Sequence, residues 1–261
     1  MARISVLMGI YNCASTLSEA LDSLYAQTFQ DFKIILCEDG SKDDTYAVAK
    51  QYAERHDNIV LLCNERNMGL NYTLNRCLEH ADTEYCARMD GDDISLPERF
   101  EKEINFLDEH PEYAIVSCPM IYFDEQGEFK RGCGRGEINK EDFLLGSPIS
   151  HAPSMTRTDA LKRVGGYAVD KRLLRVEDYN LWMRMYAKGY NAYTLFEPLY
   201  KMRDDRNAKA RRNWESRKNE FYAMRTGFSM LGLPWYTQIY AIRPILAHIA
   251  PRCVYNIIHR R

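Results

Sequence analysis

Residues 4–41 read ISVLMGIYNCASTLSEALDSLYAQTFQDFKIILCEDGS, in which two apolar runs flank a helix-like pattern. The runs at 4–10 and 32–37 are almost continuously apolar, as expected of strands buried on both faces of a parallel sheet. Residues 15–27 place apolar side chains every three or four positions, which indicates an amphipathic helix. This order predicts a parallel strand–helix–strand unit.

The same alternation continues to residue 118. Three further apolar runs and three further helix-like patterns follow in turn. They predict an α/β fold with a doubly wound, mostly parallel central sheet and helices on both faces. The strands are expected at 59–63, 85–89 and 114–118, and the helices at 43–56, 70–81 and 97–109.

The second half of the chain is less regular. Residues 123–136 are polar and rich in glycine, which predicts a hairpin or a mobile loop. Glycine residues then punctuate a series of helix-like patterns. Helices are expected at 140–145, 157–164, 176–187 and 213–231, and one more strand at 191–196.

The composition of the 261 residues is that of a globular protein, with 46% hydrophobic and 28% charged residues. No stretch approaches the roughly 18 uninterrupted apolar residues of a spanning helix. The first strand begins near Ile4, which leaves no room for a signal peptide and predicts a cytoplasmic location. The eight cysteines form no CxxC pair, so we expect reduced, mostly buried thiols rather than a zinc site.

Polar side chains follow three of the predicted strands, at the point where each strand ends. They are Tyr11-Asn12, the EDGS segment at 38–41 and the DGDD segment at 90–93. Ligands bind at the carboxyl ends of the strands in such sheets. Three carboxylates within 90–93 repel one another unless water or a cation bridges them, and their oxygens suit Mg²⁺ or Mn²⁺. The alternative is an acidic turn that caps a helix.

In this order and at these spacings, the polar segments resemble the motifs of family 2 glycosyltransferases with the GT-A fold. The segments 151–167 and 177–182 also match the bacterial members that build surface polysaccharides, so the resemblance covers about residues 3–205. Glu38 is a departure, because the family more often has Asp there, but the charge is preserved. The motif residues are Ser5, Val6, Tyr11, Asn12, Glu38, Asp39, Gly40, Ser41, Asp43, Asn67, Gly69, Leu70, Asp90, Asp92 and Asp93.

The resemblance implies an inverting transfer of a sugar from a nucleotide diphosphate sugar, expected to be a UDP-sugar, to a hydroxyl of a glycan or lipid-linked acceptor. Tyr11 would stack on the base, with a tyrosine that caps the sheet as the alternative, and Asp39 would accept the N–H of the uracil imide. Glu38, Arg66 and Asn75 are expected to complete the nucleotide site. Arg66 is equally compatible with a solvated charge, and Asn75 with a polar helix face.

The resemblance also implies a divalent cofactor, Mn²⁺ or Mg²⁺. Asp92 is expected to hold the ion, which stabilises the departing diphosphate. Asp90 would hold the ribose or a metal-bound water. His151 is expected to contact the metal or the diphosphate, with a structural histidine as the alternative. Arg203 would reach the diphosphate from a loop that closes over the donor.

An inverting transfer requires a base on the face of the sugar opposite the leaving group. Asp178 matches the family's base position, and the adjacent Glu177 is the alternative. Neighbours on a helix diverge by about 100°, so only one of them can point into the site. Two acids at a helix N-terminus are also favoured by the helix dipole without any catalytic role.

Two other classes of protein share these α/β layers. A nucleotidyltransferase that makes activated sugars would carry a Gly-rich, basic signature after the first strand, which residues 9–13 lack. A catalytically silent subunit would have lost Asp92 or Asp178, and both are present. The motifs therefore favour the glycosyltransferase.

The expected domains are a GT-A domain at 1–205, with a nucleotide-sugar half at 1–118 and an acceptor half at 119–205, and a helical appendage at 206–261. Residues 226–261 contain four arginines and no acidic residue, in a chain of net charge −2. A basic segment with Trp and Tyr predicts peripheral contact with an anionic membrane, and packing on the domain or an oligomer contact is the alternative. We expect no nucleic-acid partner, and the oligomeric state stays open.

Overall fold

The computed structural model describes residues 2–204 and 213–249. Its strands are β1 (Ile4–Ile10), β2 (Phe32–Glu38), β3 (Ile59–Cys63), β4 (Tyr85–Arg88), β5 (Ile94–Ser95), β6 (Tyr113–Ser117), β7 (Met120–Asp124), β8 (Gly127–Arg131), β9 (Gly136–Ile138), β10 (Met155–Arg157), β11 (Asn191–Thr194) and β12 (Tyr200–Arg203). Its α-helices are α1 (Leu17–Tyr25), α2 (Thr45–Arg55), α3 (Leu70–Glu79), α4 (Arg99–Glu109), α5 (Thr158–Arg163), α6 (Glu177–Ala187), α7 (Trp214–Met230) and α8 (Arg243–Ile249). Short 3₁₀ helices cover Lys140–Leu145, Lys171–Leu173 and Trp235–Ile242.

The main sheet has the strand order β3-β2-β1-β4-β10-β6-β11-β9 within the described residues. β1 is parallel to β2 on one side and to β4 on the other. The chain order therefore reverses at β1, which is where open α/β sheets bind ligands. Beyond β4 the sheet is mixed, because β10 runs antiparallel to both β4 and β6.

Side chains of β1 alternate between two hydrophobic clusters, one on each face of the sheet. Val6 and Met8 belong to the cluster that includes buried residues of α1 and α4. Leu7 belongs to the other, with buried residues of α3, α6 and α7. Both faces of β1 are covered, which is why its sequence is continuously apolar. The predicted α/β fold with helices on both faces is confirmed.

A second, smaller sheet has the order β5-β12-β7-β8. β7 and β8 form an antiparallel hairpin, and its turn and second strand lie within 123–136, the segment that was predicted as a hairpin or loop. Arg203 lies on β12, which pairs with β7, so the prediction that Arg203 lies on a loop is wrong. β12 has only four residues, YKMR, and this pattern is too short and too basic to be distinguished from a loop in the sequence.

The predicted long helix near the C-terminus is confirmed as α7. Ala223, Met224 and Phe228 of α7 are fully or almost fully buried and share a cluster with Trp182 of α6. In the ranges 2–204 and 213–249, no helix combines the length and apolar character needed to cross a bilayer. The predicted membrane segment continues over 250–261, which lies outside the described residues.

Candidate active site

A cleft of about 360 Å³ opens where the carboxyl ends of β1 and β4 meet. The two strands are adjacent and parallel, so the loops that follow them reach the same edge of the sheet. Arg203 adds a third wall from the second sheet. The cleft therefore occupies the point of strand reversal at which a ligand is expected. Its lining comprises Gly9, Ile10, Tyr11, Asn12, Cys13, Ser15, Thr16, Asp90, Gly91, Asp92 and Arg203.

Tyr11 and Asn12 form the loop that leaves β1. Tyr11 is 41% exposed, so its ring is available to a flat ligand. Asn12 adopts a φ of 50°, a left-handed conformation that asparagine tolerates. Its backbone N–H donates to Ser41 Oγ at 3.0 Å, and its side-chain oxygen accepts the N–H of Lys42 at 2.9 Å. The loops after β1 and β2 are therefore tied into one edge.

Asp39 is only 3% exposed and already accepts three hydrogen bonds. Its Oδ1 accepts from the side-chain amide of Asn64 at 2.7 Å and from the N–H of Met68 at 2.8 Å. Its Oδ2 accepts from the N–H of Gly69 at 2.9 Å. The carboxylate fixes the segment that leads into α3 and retains acceptor capacity on Oδ2 for one further N–H.

The remaining residues predicted for the nucleotide lie in different surroundings. Glu38 is buried and accepts two backbone N–H groups of the turn after β2. Gly40 in that turn has a φ of +70°, and a Cβ there would lie 2.6 Å from the carbonyl carbon of Arg66. The Arg66 side chain is exposed beside this contact. Asn75 is engaged elsewhere, because its amide both donates to and accepts from the backbone of Tyr167 at 2.8 Å.

The acidic segment after β4 concentrates negative charge at the cleft. Asp90 pairs with the guanidinium of Arg88 at 2.5 Å, and Asp92 is exposed. Asp93 is buried and accepts the backbone N–H of Arg203 at 2.7 Å. Desolvation and the Asp90 charge raise the pKa of Asp92, and desolvation with the charges of Asp90 and Asp92 raises the pKa of Asp93 to about 8.

The donor set of this segment fits a hard divalent cation. The carboxylates of Asp90 and Asp92 both line the cleft, and a cation would relieve their repulsion. In the part of the chain that the structure describes, no group of three His, Cys, Asp or Glu side chains is arranged to hold a metal. Two carboxylates leave most of a coordination shell to water and phosphate oxygens, as magnesium sites commonly do. The residues therefore fit an ion that binds together with a diphosphate.

Arg203 brings positive charge to the mouth of the cleft. Its Nε donates to the backbone oxygen of Asp92 at 3.0 Å, and its guanidinium lies 4.5 Å from the centre of the Phe123 ring. The guanidinium also pairs with Glu19 of α1. Arg203 is thus held beside the acidic segment, although by a strand rather than by a loop.

His151 has a protein partner on one ring nitrogen. Its Nε2 lies 2.8 Å from the hydroxyl of Tyr167, and its ring packs edge-to-face against Tyr167 and Trp182. Burial, followed by the charge of Arg88, lowers the pKa of His151 well below its usual value. The imidazole is therefore neutral, the form that either binds a metal or completes a structural hydrogen bond.

Glu177 and Asp178 form the first turn of α6, and both are half-buried. Burial and the Glu177 charge raise the pKa of Asp178 to about 6. Burial also raises the pKa of Glu177, against the opposing effects of backbone hydrogen bonds at Glu177 and Arg175 and of the Arg88 charge. A carboxylate whose pKa lies near 6 is a stronger base than an ordinary aspartate and is still ionised at neutral pH.

Sequence reasoning missed three residues that organise this site. Arg88 pairs with Asp90, Glu19 pairs with Arg203, and Asn64 holds Asp39. A signal was present for Arg88 alone, since an arginine is the last residue of a fully buried strand whose other side chains are Tyr, Cys and Ala. The other two depend on contacts between segments that are distant in sequence.

Comparison with known proteins identifies the family. Residues 5–165 match the family described as Glycosyl transferase family 2, and the chain belongs to that family. EpsE of Bacillus subtilis (strain 168), named as a glycosyltransferase, is 38% identical over 262 residues, which cover 99% of this chain and 94% of EpsE. A UDP-Gal:alpha-D-GlcNAc-diphosphoundecaprenol beta-1,3-galactosyltransferase of Escherichia coli is 31% identical over 216 residues, which cover 80% of this chain and 77% of that protein. The protein is a glycosyltransferase.

Solved structures show the same fold. Residues 1–349 of S. aureus TarS, in complex with UDP-GlcNAc, match with a TM-score of 0.72 at 20% identity and cover 100% of this chain and 76% of that chain. The mannosyltransferase PcManGT from Pyrobaculum calidifontis, in complex with GDP-Man and Mn²⁺, matches with a TM-score of 0.66 at 20% identity, with 98% and 78% covered. The GT-A fold that the motifs implied is confirmed.

Proposed function

We propose that this enzyme transfers a sugar, with inversion, from a UDP-sugar to a hydroxyl group of a glycan or lipid-linked acceptor in the assembly of a cell-surface polysaccharide. The observation that carries the proposal is the cleft between the ends of β1 and β4, which combines an exposed aromatic ring, two carboxylates and an arginine. A nucleotide diphosphate has the matching parts, a flat base and charged phosphates. The names of the E. coli relative and the TarS complex, with UDP-Gal and UDP-GlcNAc, support the choice of UDP.

In this proposal the donor lies along the edge formed by the loops after β1, β2 and β4. Tyr11 stacks on the base, and Asp39 accepts the imide N–H on its remaining acceptor position. Glu38 maintains the turn that presents Asp39, and the exposed Arg66 is free to reach the nucleotide. Asn75 acts indirectly, because its amide is committed to the backbone of a distant segment.

We propose that the transfer depends on Mn²⁺ or Mg²⁺. Asp92 would hold the ion, with Asp90 beside it, whereas His151 takes the structural alternative, because its Nε2 is bonded to the Tyr167 hydroxyl and the described residues form no three-residue metal group with it. A bound divalent cation supplies electrostatic stabilisation of the departing diphosphate. Arg203, beside the acidic segment, offers the phosphates a second positive charge. The Mn²⁺ in the PcManGT complex supports this cofactor class.

Asp178 is the proposed base. Its carboxylate takes the proton of the acceptor hydroxyl as the new bond to the sugar forms. The raised pKa of about 6 suits this role because the group stays ionised at neutral pH. The proposed acceptor half, 119–205, then supplies the base, and the half at 1–118 binds the donor together with Arg203.

A screen of nucleotide sugars tests the function. Purified enzyme is incubated with UDP-, GDP- and dTDP-sugars in Mn²⁺ or Mg²⁺, and the released nucleoside diphosphate is measured. We expect release of UDP that stops when EDTA is added. Release of GDP or dTDP instead of UDP would show that the donor is not a UDP-sugar. Undiminished turnover after EDTA would contradict the proposed metal dependence. If no nucleotide sugar is turned over, the proposed function is wrong.

We also propose peripheral contact with the cytoplasmic face of the cell membrane through the C-terminal appendage. The 3₁₀ helix Trp235–Ile242 and α8 expose large apolar side chains: Trp235 is 85% exposed, Ile239 67% and Leu246 58%. Exposed apolar clusters of this kind mark interaction surfaces. The absence of acidic residues from 226–261 adds electrostatic attraction to anionic lipids.

Vesicle sedimentation tests this contact. Deleting the appendage would remove buried Phe228 and Ala241, so substitution of exposed residues is the sharper experiment. We expect full-length protein to sediment with phosphatidylglycerol vesicles at low salt, and Trp235→Ser with Ile239→Ser to weaken binding about tenfold or more. Phe196→Ser, at a position that is 68% exposed, is the control and should bind normally. Wild-type protein that stays in the supernatant would contradict the membrane contact.

A further inference from the structure

Arg88 is a buried arginine whose hydrogen bonding is incomplete. It is only 4% exposed, and one of its three guanidinium nitrogens, Nη2, bonds to Asp90 Oδ1 at 2.5 Å. Its Nε and Nη1 are buried without a hydrogen-bond partner among the described residues. A buried donor without an acceptor destabilises the fold, so packing of the protein core alone does not explain this residue.

Two other arginines, one in the main sheet and one in α6, are held differently. Arg157 of β10 donates from all three nitrogens, to the oxygens of Tyr113, Tyr85 and Leu107. Arg184 of α6 also places all three nitrogens on acceptors. These two arginines tie segments of the fold together. The Arg88 side chain instead bonds to the Asp90 carboxylate at the cleft.

The backbone of Arg88 is held by hydrogen bonds at both its N–H and its carbonyl oxygen. Its backbone N–H donates to the oxygen of Ser154 at 2.8 Å, and its backbone oxygen accepts from Nη2 of Arg99 at 3.0 Å. Arg99 is itself fully buried and paired with Glu103. The Asp90 carboxylate pairs with the guanidinium, so the charge buried on Arg88 is balanced at the cleft.

We propose that Arg88 is a positioning residue, which holds the Asp90 carboxylate in the orientation that the donor site requires. Asp90 is fixed at two points, because its backbone N–H also donates to the hydroxyl of Tyr200 at 3.2 Å. The Asp90 side chain is 31% exposed and would otherwise sample several rotamers at the cleft. The inference rests on the proposed function, since it assigns Arg88 to the nucleotide and metal site.

Calorimetric titration with UDP, in the presence and absence of Mn²⁺, tests the inference without any turnover. A lost charge-assisted hydrogen bond corresponds to a change of about ten- to a hundredfold in affinity. We expect Arg88→Lys, which keeps the charge but loses the planar fork, to reduce the Mn²⁺-dependent gain in UDP affinity by that factor. Arg88→Gln removes the buried charge, so it provides a second test if the lysine variant folds poorly. It should show the same loss of Mn²⁺-dependent UDP affinity.

Arg157→Lys is the matched control. It alters an arginine of the neighbouring strand and should lower the melting temperature without changing UDP affinity. Because Arg88 acts through Asp90, adding Arg88→Gln to Asp90→Asn should cause no further loss. If wild-type protein gains no nucleotide affinity from Mn²⁺, the proposed function fails and the inference with it. If wild type binds and folded Arg88→Lys and Arg88→Gln bind equally well, the inference alone is wrong.

Discussion

Two groups of neighbouring carboxylates lie in different surroundings in this protein. The acidic segment 90–93 follows β4 at an open cleft, where the guanidinium groups of Arg88 and Arg203 contact it. Glu177 and Asp178 lie half-buried in the first turn of α6. The same residue types therefore lie beside two guanidinium groups at an open cleft in one case and in the half-buried first turn of a helix in the other.

This difference separates their chemistry. In the acidic segment, burial and the charges of the neighbouring carboxylates raise the pKa values of Asp92 and Asp93, and a cation would offset the repulsion. In α6, burial is the first cause of the raised pKa of Asp178, and the value of about 6 favours proton transfer near neutral pH. Pairs of acids whose surroundings differ in this way commonly divide electrostatic and proton-transfer roles between them.

The largest expected effect comes from removing the proposed base. We expect Asp178→Asn to lower kcat by about 10²- to 10⁴-fold, because asparagine keeps the shape but cannot take a proton. Affinity for the nucleotide should remain within a few-fold, measured by calorimetric titration. Asp159→Asn on the exposed surface of α5 is the control and should turn over normally. If kcat is unchanged in Asp178→Asn, Asp178 is not the base.

Removing a carboxylate from the cleft should have a different signature. We expect Asp92→Ala to lower activity by at least about 10²-fold, the scale of a lost electrostatic contact in the transition state. Unlike the base variant, it should also lose the Mn²⁺-dependent part of nucleotide binding. Asp57→Ala, at an exposed position outside the cleft, should behave as wild type. If Asp92→Ala binds the nucleotide normally with Mn²⁺, the acidic segment 90–93 does not hold the metal, and its proposed difference from Glu177 and Asp178 is wrong.

The fold was predictable where one strand or helix carried its own pattern. β1 and β2 are apolar because both faces are covered, and the helix between them shows a single apolar stripe. β5 and β12 have two and four residues, too few for any periodicity. The antiparallel insertion of β10 depends on a long-range pairing, so the mixed half of the sheet was not foreseen.

The site was predictable to the extent that motifs marked the ends of strands. Tyr11, Asp90 and Asp92 reach one cleft, as their positions after β1 and β4 implied. The protein partners of Asp39 and His151 were not predictable, because the three donors to Asp39 and the Tyr167 hydroxyl come from other parts of the chain. The nucleotide, metal and base roles of these residues stay predictions.

The pH profile of the wild-type enzyme tests the proposed role of Asp178, and its contrast with the acidic segment, without any substitution. The base must be ionised, so kcat/KM should fall about tenfold per pH unit below the pKa of Asp178 and level off above it. That pKa is about 6, raised by burial and by the Glu177 charge, so the acidic limb should lie near pH 6 rather than near pH 4. Donor hydrolysis measured from pH 4.5 to 8 at saturating Mn²⁺ gives the curve. A limb near pH 4 would mean that the base is an ordinary solvated carboxylate.

The smallest effect is expected at Glu177, and it distinguishes the two acids of α6. Consecutive helix residues diverge by about 100°, so Glu177 should not reach the atom that Asp178 serves, and Glu177→Gln should keep kcat within a few-fold at pH 8. The Glu177 charge is nevertheless the second cause of the raised pKa of Asp178. Its removal should therefore move the acidic limb of the pH profile to lower pH, while the plateau is retained. Asp142→Asn, which neutralises a carboxylate at the start of the 3₁₀ helix Lys140–Leu145, should leave the limb in place. An inactive Glu177→Gln beside an active Asp178→Asn would assign the base to Glu177.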